Sequence, residues 1–198
     1  MQPIDLDVTC GVRAWMAGYL DQGGFSLERV QDGLRDAAWY SARDRRTIRA
    51  LCDAHPRRFT RWLYEHEPRG RYTGLLMVWP PRHATPIHDH AGLWGIEMVL
   101  QGTLAVDDYA FDPASRRLHF AGATVLGEGE SCAFLGSPEH AHRCTNPSAL
   151  RPAVTLHVYG GILDSYHSYS EIAGDHYVAE RVQAPIDGYI GPVPGRMS

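Results

Sequence analysis

The chain has 198 residues, a formal net charge of −4 and a hydrophobic share of 44%. This length and composition fit one globular domain with a full hydrophobic core, and the acidic balance argues against electrostatic binding to nucleic acid. The acidic amino terminus lacks the features of a signal peptide, and no run of about 18 apolar residues predicts a membrane span.

The first 56 residues predict three helices, over Val8–Leu20, Ser26–Tyr40 and Ser41–Ala54. Ser26 followed by Glu28, and Ser41 followed by Asp44, are typical of helix N-terminal caps with an acidic first turn. We therefore expect a helical part at the beginning of the chain.

After residue 57 the pattern changes to short β-rich runs that are separated by turn residues. The predicted strands are Phe59–Tyr64, Tyr72–Trp79, Trp94–Leu100, Thr103–Phe111, Ala123–Leu126, Ser131–Leu135 and Ala153–Tyr159. Many short strands without intervening helices predict a mainly β barrel or double-sheet roll, with the helices packed outside it. We expect one domain over 1–198, with a helical part at 1–56, a barrel at 57–183 and an extended tail at 184–198.

The four cysteines are spread along the chain without a close Cys-x-x-Cys pair. Free thiols in the reducing cytoplasm are the simplest interpretation, because cytosolic proteins seldom carry structural disulfides.

Two histidine pairs stand out, and the first lies in the stretch TPIHDHAGLWG, which holds His88 and His90. Residues two apart share one face of a strand, so the two imidazoles would project together while Asp89 points away. Neutral imidazoles at this spacing can occupy adjacent positions on one metal ion. A hydrogen-bonded pair without a metal is the alternative.

The second pair, His140 and His142, follows a Gly-Ser-Pro turn in another β-rich stretch and offers a third ligand. Further on, Thr155, His157 and Tyr159 share one strand face. Burying these polar groups is costly unless they bond one another or a ligand. A satisfied hydrogen-bond chain in the core is the alternative.

Taken together, these motifs resemble the cupin superfamily and, within it, the cysteine dioxygenase-type thiol dioxygenases. The resemblance covers roughly residues 57–167. The residues that carry it are His88-x-His90 with Gly102, His142 with Asn146, Pro86–His90, Trp94-Gly95, Leu100–Gly102, His142-Arg143, Thr155–Tyr159 and Phe59-Thr-Arg61.

The resemblance implies that ferrous iron is held by His88, His90 and His142, with His140 as the alternative third ligand. Gly95 stands where the usual cupin glutamate ligand would be. Three neutral imidazoles leave the metal with a double positive charge, which favours binding of a thiolate and an amine beside dioxygen.

The resemblance also implies that Arg61 binds the substrate carboxylate through its planar guanidinium. Tyr159 would donate a hydrogen bond to the carboxylate or the reacting oxygen, His157 would orient the Tyr159 hydroxyl, and Thr155 would fix the His157 tautomer. The other expected pocket residues are Phe59, Met77, Thr85 and Trp94. A surface position is the alternative for Arg61, and core packing is the alternative for Met77, Thr85 and Trp94.

Several residues depart from the family pattern. Animal members carry a cysteine that crosslinks to the active-site tyrosine. Gly95 stands at that position here, so no crosslink to Tyr159 can form, and bacterial members commonly share this feature. Gly160-Gly161 resembles relatives that oxidise 3-mercaptopropionate, and Phe59 replaces a tyrosine. Glu97 has the strand parity of Gly95, so it would point inward, either as a solvated bulge residue or as a partner for a polar part of the substrate.

The resemblance predicts an iron(II) thiol dioxygenase that converts a small thiol carboxylate to a sulfinate, with L-cysteine as the first choice. 3-Mercaptopropionate is the alternative within the class, and a metal-binding sensor without turnover is an alternative from another class. The expected partners are a small thiol and dioxygen, with no nucleic acid and no membrane. The oligomeric state is left open, and a monomer is compatible with the sequence.

Overall fold

The computed structural model describes residues 4–38, 40–173 and 176–191. The chain begins with three helices, α1 (Asp7–Asp21), α2 (Leu27–Ala37) and α3 (Ala42–Ala54). Ser26 caps α2 by accepting a hydrogen bond from the backbone N–H of Arg29, and Ser41 forms a capping box with Asp44 at the start of α3. Both caps agree with the sequence prediction, whereas Trp39, in the predicted second helix, lies outside the described residues.

The capping residue Asp44 also joins two helices. Its buried carboxylate accepts hydrogen bonds from the backbone N–H groups of Asp7 and Val8, at distances of 2.7 and 3.1 Å. These donors belong to the first turn of α1, where backbone N–H groups have no partner within the helix. One carboxylate therefore fixes the amino ends of α1 and α3 against each other.

Twelve strands follow the helices within the described part of the chain. Their bounds are β1 (Thr60–His66), β2 (Thr73–Trp79), β3 (Ile87–His88), β4 (Gly95–Gln101), β5 (Leu104–Asp112), β6 (Arg117–Leu126), β7 (Ser131–Phe134), β8 (His140–Thr145), β9 (Ala153–Tyr159), β10 (Ser165–Ala173), β11 (His176–Gln183) and β12 (Gly188–Tyr189).

The strands form two sheets. The first has six strands in the order β12-β1-β2-β9-β4-β7, and the second closes on itself in the order β10-β11-β6-β5-β8-β3. Its closing pair places Ser168 of β10 opposite His88 of β3. The two sheets thus bring side chains that are distant in sequence into one interior.

Alternation along the strands of the first sheet separates two hydrophobic clusters. On β9, Val154, Leu156 and Val158 pack in the cluster that includes helical residues such as Val12 and Leu34. The opposite face holds the other cluster, in which residues of β2 and β9 meet residues of β5 and β8. The helices therefore cover the outside of the first sheet, and the second cluster lies between the sheets.

The prediction of a mainly β architecture with external N-terminal helices is confirmed. The sequence patterns did not predict β10, β11 and β12, and they predicted only the end of β6. In the predicted tail, β12 pairs in parallel with β1, and Ile190 is buried, while residues 192–198 lie outside the described part. In the described part of the chain, no helix is long and apolar enough to cross a membrane.

Candidate metal centre

Three histidines meet in the interior between the two sheets. His88 on β3 lies directly opposite His142 on β8. The ring centroids of His88 and His90 are 5.1 Å apart, and His142 lies 4.7 Å from His88 and 4.6 Å from His90. One ring nitrogen from each residue falls within 4.8 Å of the others. The structure thus brings together the three residues that the sequence analysis selected as ligands.

Strand parity alone does not place His90, because β3 ends at His88. The carboxylate of Asp89 holds the following loop instead. It accepts hydrogen bonds from the backbone N–H of His167 at 2.8 Å, from its imidazole Nδ1 at 2.9 Å and from the Tyr169 hydroxyl at 3.0 Å. Asp89 therefore points away from the histidine cluster. Its bonds to β10 anchor the segment in which His90 follows Asp89.

The protonation of the three rings suits a metal ion. Burial lowers the pKa of His88 to about 4 and the pKa values of His90 and His142 well below the usual range, so the rings are neutral. His88 Nδ1 donates to the Pro86 carbonyl at 3.0 Å, which leaves its Nε2 lone pair available.

Unpartnered nitrogen atoms give a second reason to place a metal here. Among the described residues, both ring nitrogens of His90 and Nδ1 of His142 have no hydrogen-bond partner, although they are buried. Such orphaned polar atoms are costly unless a ligand or a metal satisfies them. The donor set therefore fits a divalent transition metal, for which imidazole is a common ligand.

His140, the alternative third ligand, has another partner. Its Nε2 lies 3.1 Å from the carboxylate of Asp108 on β5. The ring is only partly buried and stands 5.8 Å from the ring of His142. His140 is also not among the three histidines whose ring nitrogens come within 4.8 Å of one another, so His142 remains the better candidate.

Arg61 approaches the histidine cluster from β1. Its Nη2 donates a hydrogen bond to the Tyr166 hydroxyl at 3.2 Å, and its guanidinium lies 5.0 Å from the ring centroid of Phe59. The positive charge of Arg61 contributes to the lowered pKa of His88, after the larger effect of burial. Arg61 is thus a partly buried cation beside the candidate metal site.

Thr155, His157 and Tyr159 form a continuous chain of hydrogen bonds on the inner face of β9. Thr155 Oγ1 lies 2.7 Å from His157 Nε2, and the Tyr159 hydroxyl lies 3.0 Å from His157 Nδ1. Thr155 Oγ1 also accepts a bond from the indole N–H of Trp79 at 2.7 Å. Tyr159 stacks on His90, with the ring centroids 5.1 Å apart, so the chain ends at the histidine cluster.

Glu97 is a buried carboxylate next to both groups of histidines, with only 1% of its surface exposed. One oxygen lies 3.3 Å from His157 Nδ1 and 3.6 Å from His142 Nε2, and the thiol of Cys144 donates to the other at 3.5 Å. Burial raises the pKa of Glu97, and the hydrogen bond from His157 acts in the opposite direction and holds this pKa below its usual range. The inward direction that parity predicted is correct, and the alternative of a solvated bulge residue is wrong.

The remaining expected pocket residues have different positions. Met77 lies in the interior cluster between the sheets, and Thr85 bonds its hydroxyl to the backbone of Cys144. Trp94 packs instead in the outer cluster against Phe25, with the ring centroids 4.9 Å apart. This position favours core packing, the alternative for Trp94, over a place in the pocket, because Trp94 shares the outward face of Ile96.

Three residues of the site were not selected from the sequence. Trp79 bonds Thr155, the Phe134 ring stacks on His90 at 4.5 Å, and Tyr166 lies over His88 at 5.3 Å. Parity with Met77 could have placed Trp79 on the inner face of β2. The positions of Phe134 and Tyr166 in the site depend on contacts between segments that are far apart in sequence.

Comparison with known protein families settles the relationship of this chain. The family model described as "Cysteine dioxygenase type I" matches residues 35–172. The chain belongs to this family. The match contains the three histidines, Arg61 and the whole of β9, so the cysteine dioxygenase resemblance that the sequence motifs indicated is confirmed.

Curated relatives agree with the family model. The chain is 32% identical over 123 residues to "Cysteine dioxygenase type 1" of Danio rerio, which covers 60% of this chain and 59% of the relative. It is 30% identical over 118 residues to the Homo sapiens protein of the same name, covering 59% and 58%. The matched region thus spans about three fifths of these relatives.

A search of solved structures finds partial similarity to an oxalate oxidase in complex with the substrate analogue glycolate. The identity is 18%, the TM-score is 0.41, and the similarity covers 52% of this chain and 50% of the other. The cupin domain of Schizosaccharomyces pombe Cnp3 has 10% identity and a TM-score of 0.41, covering 52% and 61%.

Gly95 has a packing role beside the metal centre. A Cβ atom at this position would lie 2.2 Å from Cζ of Phe134, the ring that stacks on His90. We expect Gly95→Ala to lower the free energy of unfolding by about 1–3 kcal/mol, the usual cost of overpacking a core. Urea denaturation of the metal-free protein measures this change.

Gly122→Ala in β6 is the matched control, since a Cβ there has nothing within 4 Å. We expect its unfolding free energy to stay within about 0.5 kcal/mol of the wild type, or to rise slightly. Equal stability of the two variants would contradict the packing role of Gly95.

Proposed function

We propose that the protein is an iron(II)-dependent thiol dioxygenase that oxidises the sulfur of a small thiol carboxylate to a sulfinate, with L-cysteine as the preferred substrate. The observation that carries the proposal is one interior in which three neutral imidazoles, a guanidinium and a tyrosine that ends a hydrogen-bond chain lie side by side. Family membership supports the reaction class.

His88, His90 and His142 would hold the metal. Ferrous iron would supply a site at which a thiolate and dioxygen can react, and the sulfur itself would provide the four electrons that reduce dioxygen. The protein binds the metal through uncharged rings, so the site keeps a positive charge that attracts a thiolate. The buried ring of Tyr159 and the partly buried ring of Phe134, both stacked on His90, would shield one side of the centre from bulk water.

Arg61 would bind the carboxylate of the substrate. A guanidinium presents a planar fork of N–H donors, which orients a carboxylate through two parallel hydrogen bonds. Arg61 and His88 both lie against the Tyr166 ring, at 5.6 Å and 5.3 Å from its centroid, so a small molecule could reach both the guanidinium and the metal centre. This arrangement favours a compact thiol carboxylate such as cysteine. 3-Mercaptopropionate is the alternative substrate, because Gly160-Gly161 resembles the relatives that oxidise it.

The bonds around His157 set the direction of the hydrogen-bond chain. The Glu97 carboxylate beside His157 Nδ1 can only accept, so Nδ1 carries the ring hydrogen, and Thr155, which accepts from the Trp79 indole, donates its own proton to Nε2. That Nδ1–H lies between the Tyr159 hydroxyl oxygen and Glu97. The Tyr159 proton then remains available for the substrate, and burial raises the pKa of Tyr159, which keeps the hydroxyl protonated.

Glu97 would hold His157 in this tautomer, since its carboxylate is an acceptor for Nδ1–H. The same carboxylate compensates part of the positive charge of the metal centre. We propose that Glu97 takes no part in substrate recognition, because its oxygens are already engaged by His157 and Cys144.

The proposed setting is a reducing compartment such as the cytoplasm, with the thiol and dioxygen as the small-molecule partners. The four cysteines, Cys10, Cys52, Cys132 and Cys144, are free in the structure, which agrees with this setting.

Oxygen uptake by the iron(II)-loaded protein against a panel of thiols tests the function. We expect cysteine to be oxidised fastest, 3-mercaptopropionate to be a slower substrate, and cysteamine, which lacks a carboxylate, to be poor. Turnover of cysteine and cysteamine at equal rates would contradict the role of Arg61, and uptake with none of the three would overturn the proposed function.

Arg61→Gln should raise the KM for cysteine at least about 30-fold, because loss of one partner of a desolvated charge pair costs about 2–5 kcal/mol. The slow reaction with cysteamine should be nearly unchanged. Arg58→Gln is the control, since Arg58 is the neighbouring arginine, is 69% exposed and pairs with Asp187 at the surface. A similar rise of KM in both variants would mean that the effect is not specific to Arg61.

A further inference from the structure

Tyr166 is a residue of the second sheet that contacts the Arg61 guanidinium. It belongs to β10, which pairs with β3 and so follows the strand that carries His88. Its ring centroid is 5.3 Å from the His88 ring, and the Arg61 guanidinium lies 5.6 Å from the same centroid. Tyr166 therefore stands between the candidate metal ligand and the candidate carboxylate anchor.

The hydrogen bond between these residues has a defined direction. Arg61 Nη2 donates to the Tyr166 hydroxyl oxygen at 3.2 Å, because a guanidinium has no acceptor. The hydroxyl proton of Tyr166 is not consumed by this bond and remains available to an acceptor. An anion that binds to the other N–H groups of Arg61 would lie next to that proton.

The opposite neighbour of Arg61 cannot supply such a proton. Phe59 presents only an aromatic ring to the guanidinium, and that ring is packed against Trp79 at 4.6 Å and His83 at 4.7 Å. Phe59 thus fixes the guanidinium from one side by cation–π attraction without a hydrogen bond. Phe59 has no hydroxyl to offer a substrate bound at Arg61, whereas Tyr166, the other aromatic residue beside the guanidinium, has one.

We propose that Tyr166 is a substrate-binding residue that forms, with Arg61, a two-sided clamp on the substrate carboxylate. The inference rests on the proposed function and deepens it. Arg61 approaches from β1 of the first sheet and Tyr166 from β10 of the second, so the clamp closes across the interior. The clamp selects thiols that carry a carboxylate. In these thiols, the distance from sulfur to carboxylate matches the distance from the metal ligand His88 to the clamp.

The test measures binding and turnover separately with Tyr166→Phe. Anaerobic calorimetry of the iron(II)-loaded protein with 3-mercaptopropionate should show affinity weakened about tenfold, the size of one hydrogen bond to a charged group. In oxygen-uptake assays, KM for cysteine should rise by a similar factor, while kcat and the reaction with cysteamine change less than about twofold. Iron content must equal that of the wild type.

Tyr109→Phe is the control, because Tyr109 on β5 packs against Phe120 away from the histidines. Unchanged affinity for 3-mercaptopropionate in Tyr166→Phe, an equal loss for cysteamine, or no binding of the carboxylate thiol by the wild type would each overturn the clamp. If the wild type binds 3-mercaptopropionate through Tyr166 but consumes no oxygen, the proposed function fails while the clamp stands.

Discussion

Replacing His142 with alanine is expected to remove the metal and abolish activity. His142 contributes a neutral, fully buried imidazole that faces His88 and His90, and the loss of one of three protein ligands leaves a two-histidine site. After loading with iron(II) and gel filtration, we expect at least about a tenfold lower iron content, because even loss of a residue that only supports a ligand typically costs 10–100-fold in metal affinity. Elemental analysis of the protein measures the change.

His140→Ala is the matched control on the same strand, two residues away. His140 is engaged by Asp108, so its loss should leave the iron content close to one per chain. The opposite pattern, with iron retained by His142→Ala and lost by His140→Ala, would show that His140 is the third ligand.

The second large effect is expected from the hydrogen-bond chain on β9. Tyr159→Phe and His157→Gln should each lower kcat by about 10²–10³, the usual loss when a donor aimed at developing charge is removed. Both variants should retain iron, because neither residue belongs to the cluster of candidate ligands. Steady-state kinetics together with iron analysis separate these two quantities.

The two residues should act as one unit, since His157 affects the substrate only through Tyr159. The double variant is then expected to be no more than about threefold slower than the slower single variant. Tyr72→Phe is the control, because Tyr72 is a buried tyrosine of the outer cluster. Multiplicative losses in the double variant would mean that the chain does not act as proposed.

Strand periodicity predicted the parts of the site that lie on regular strands. The inner face of β9 and the inward direction of Glu97 follow from alternation, because both strands are regular and half of each faces the interior. The same rule, applied to Ile96, would have placed Trp94 outside. The Trp94-Gly95 motif, which carries part of the family resemblance, does not by itself show which face of β4 Trp94 shares.

The rest of the site depends on contacts that a local pattern does not contain. β10 is rich in serine and lacks a strong hydrophobic alternation, so neither the strand nor the position of Tyr166 beside Arg61 could be read from the sequence. The anchoring of the His88–His90 segment likewise depends on Asp89 bonding to β10, which pairs with β3 but is distant from it in sequence. The absence of a side chain at Gly95 is explained by Phe134 of β7, because a Cβ atom at Gly95 would clash with the Phe134 ring.

The central claim is that both atoms of one dioxygen molecule are added to the sulfur of a thiol carboxylate. The most direct measurement is mass spectrometry of the product formed from cysteine by the iron(II)-loaded protein under ¹⁸O₂ in ordinary water. We predict cysteine sulfinate in which both sulfinate oxygens carry the label. Cystine as the main product, or a sulfinate with one or no labelled oxygen, would contradict a thiol dioxygenase built on His88, His90 and His142.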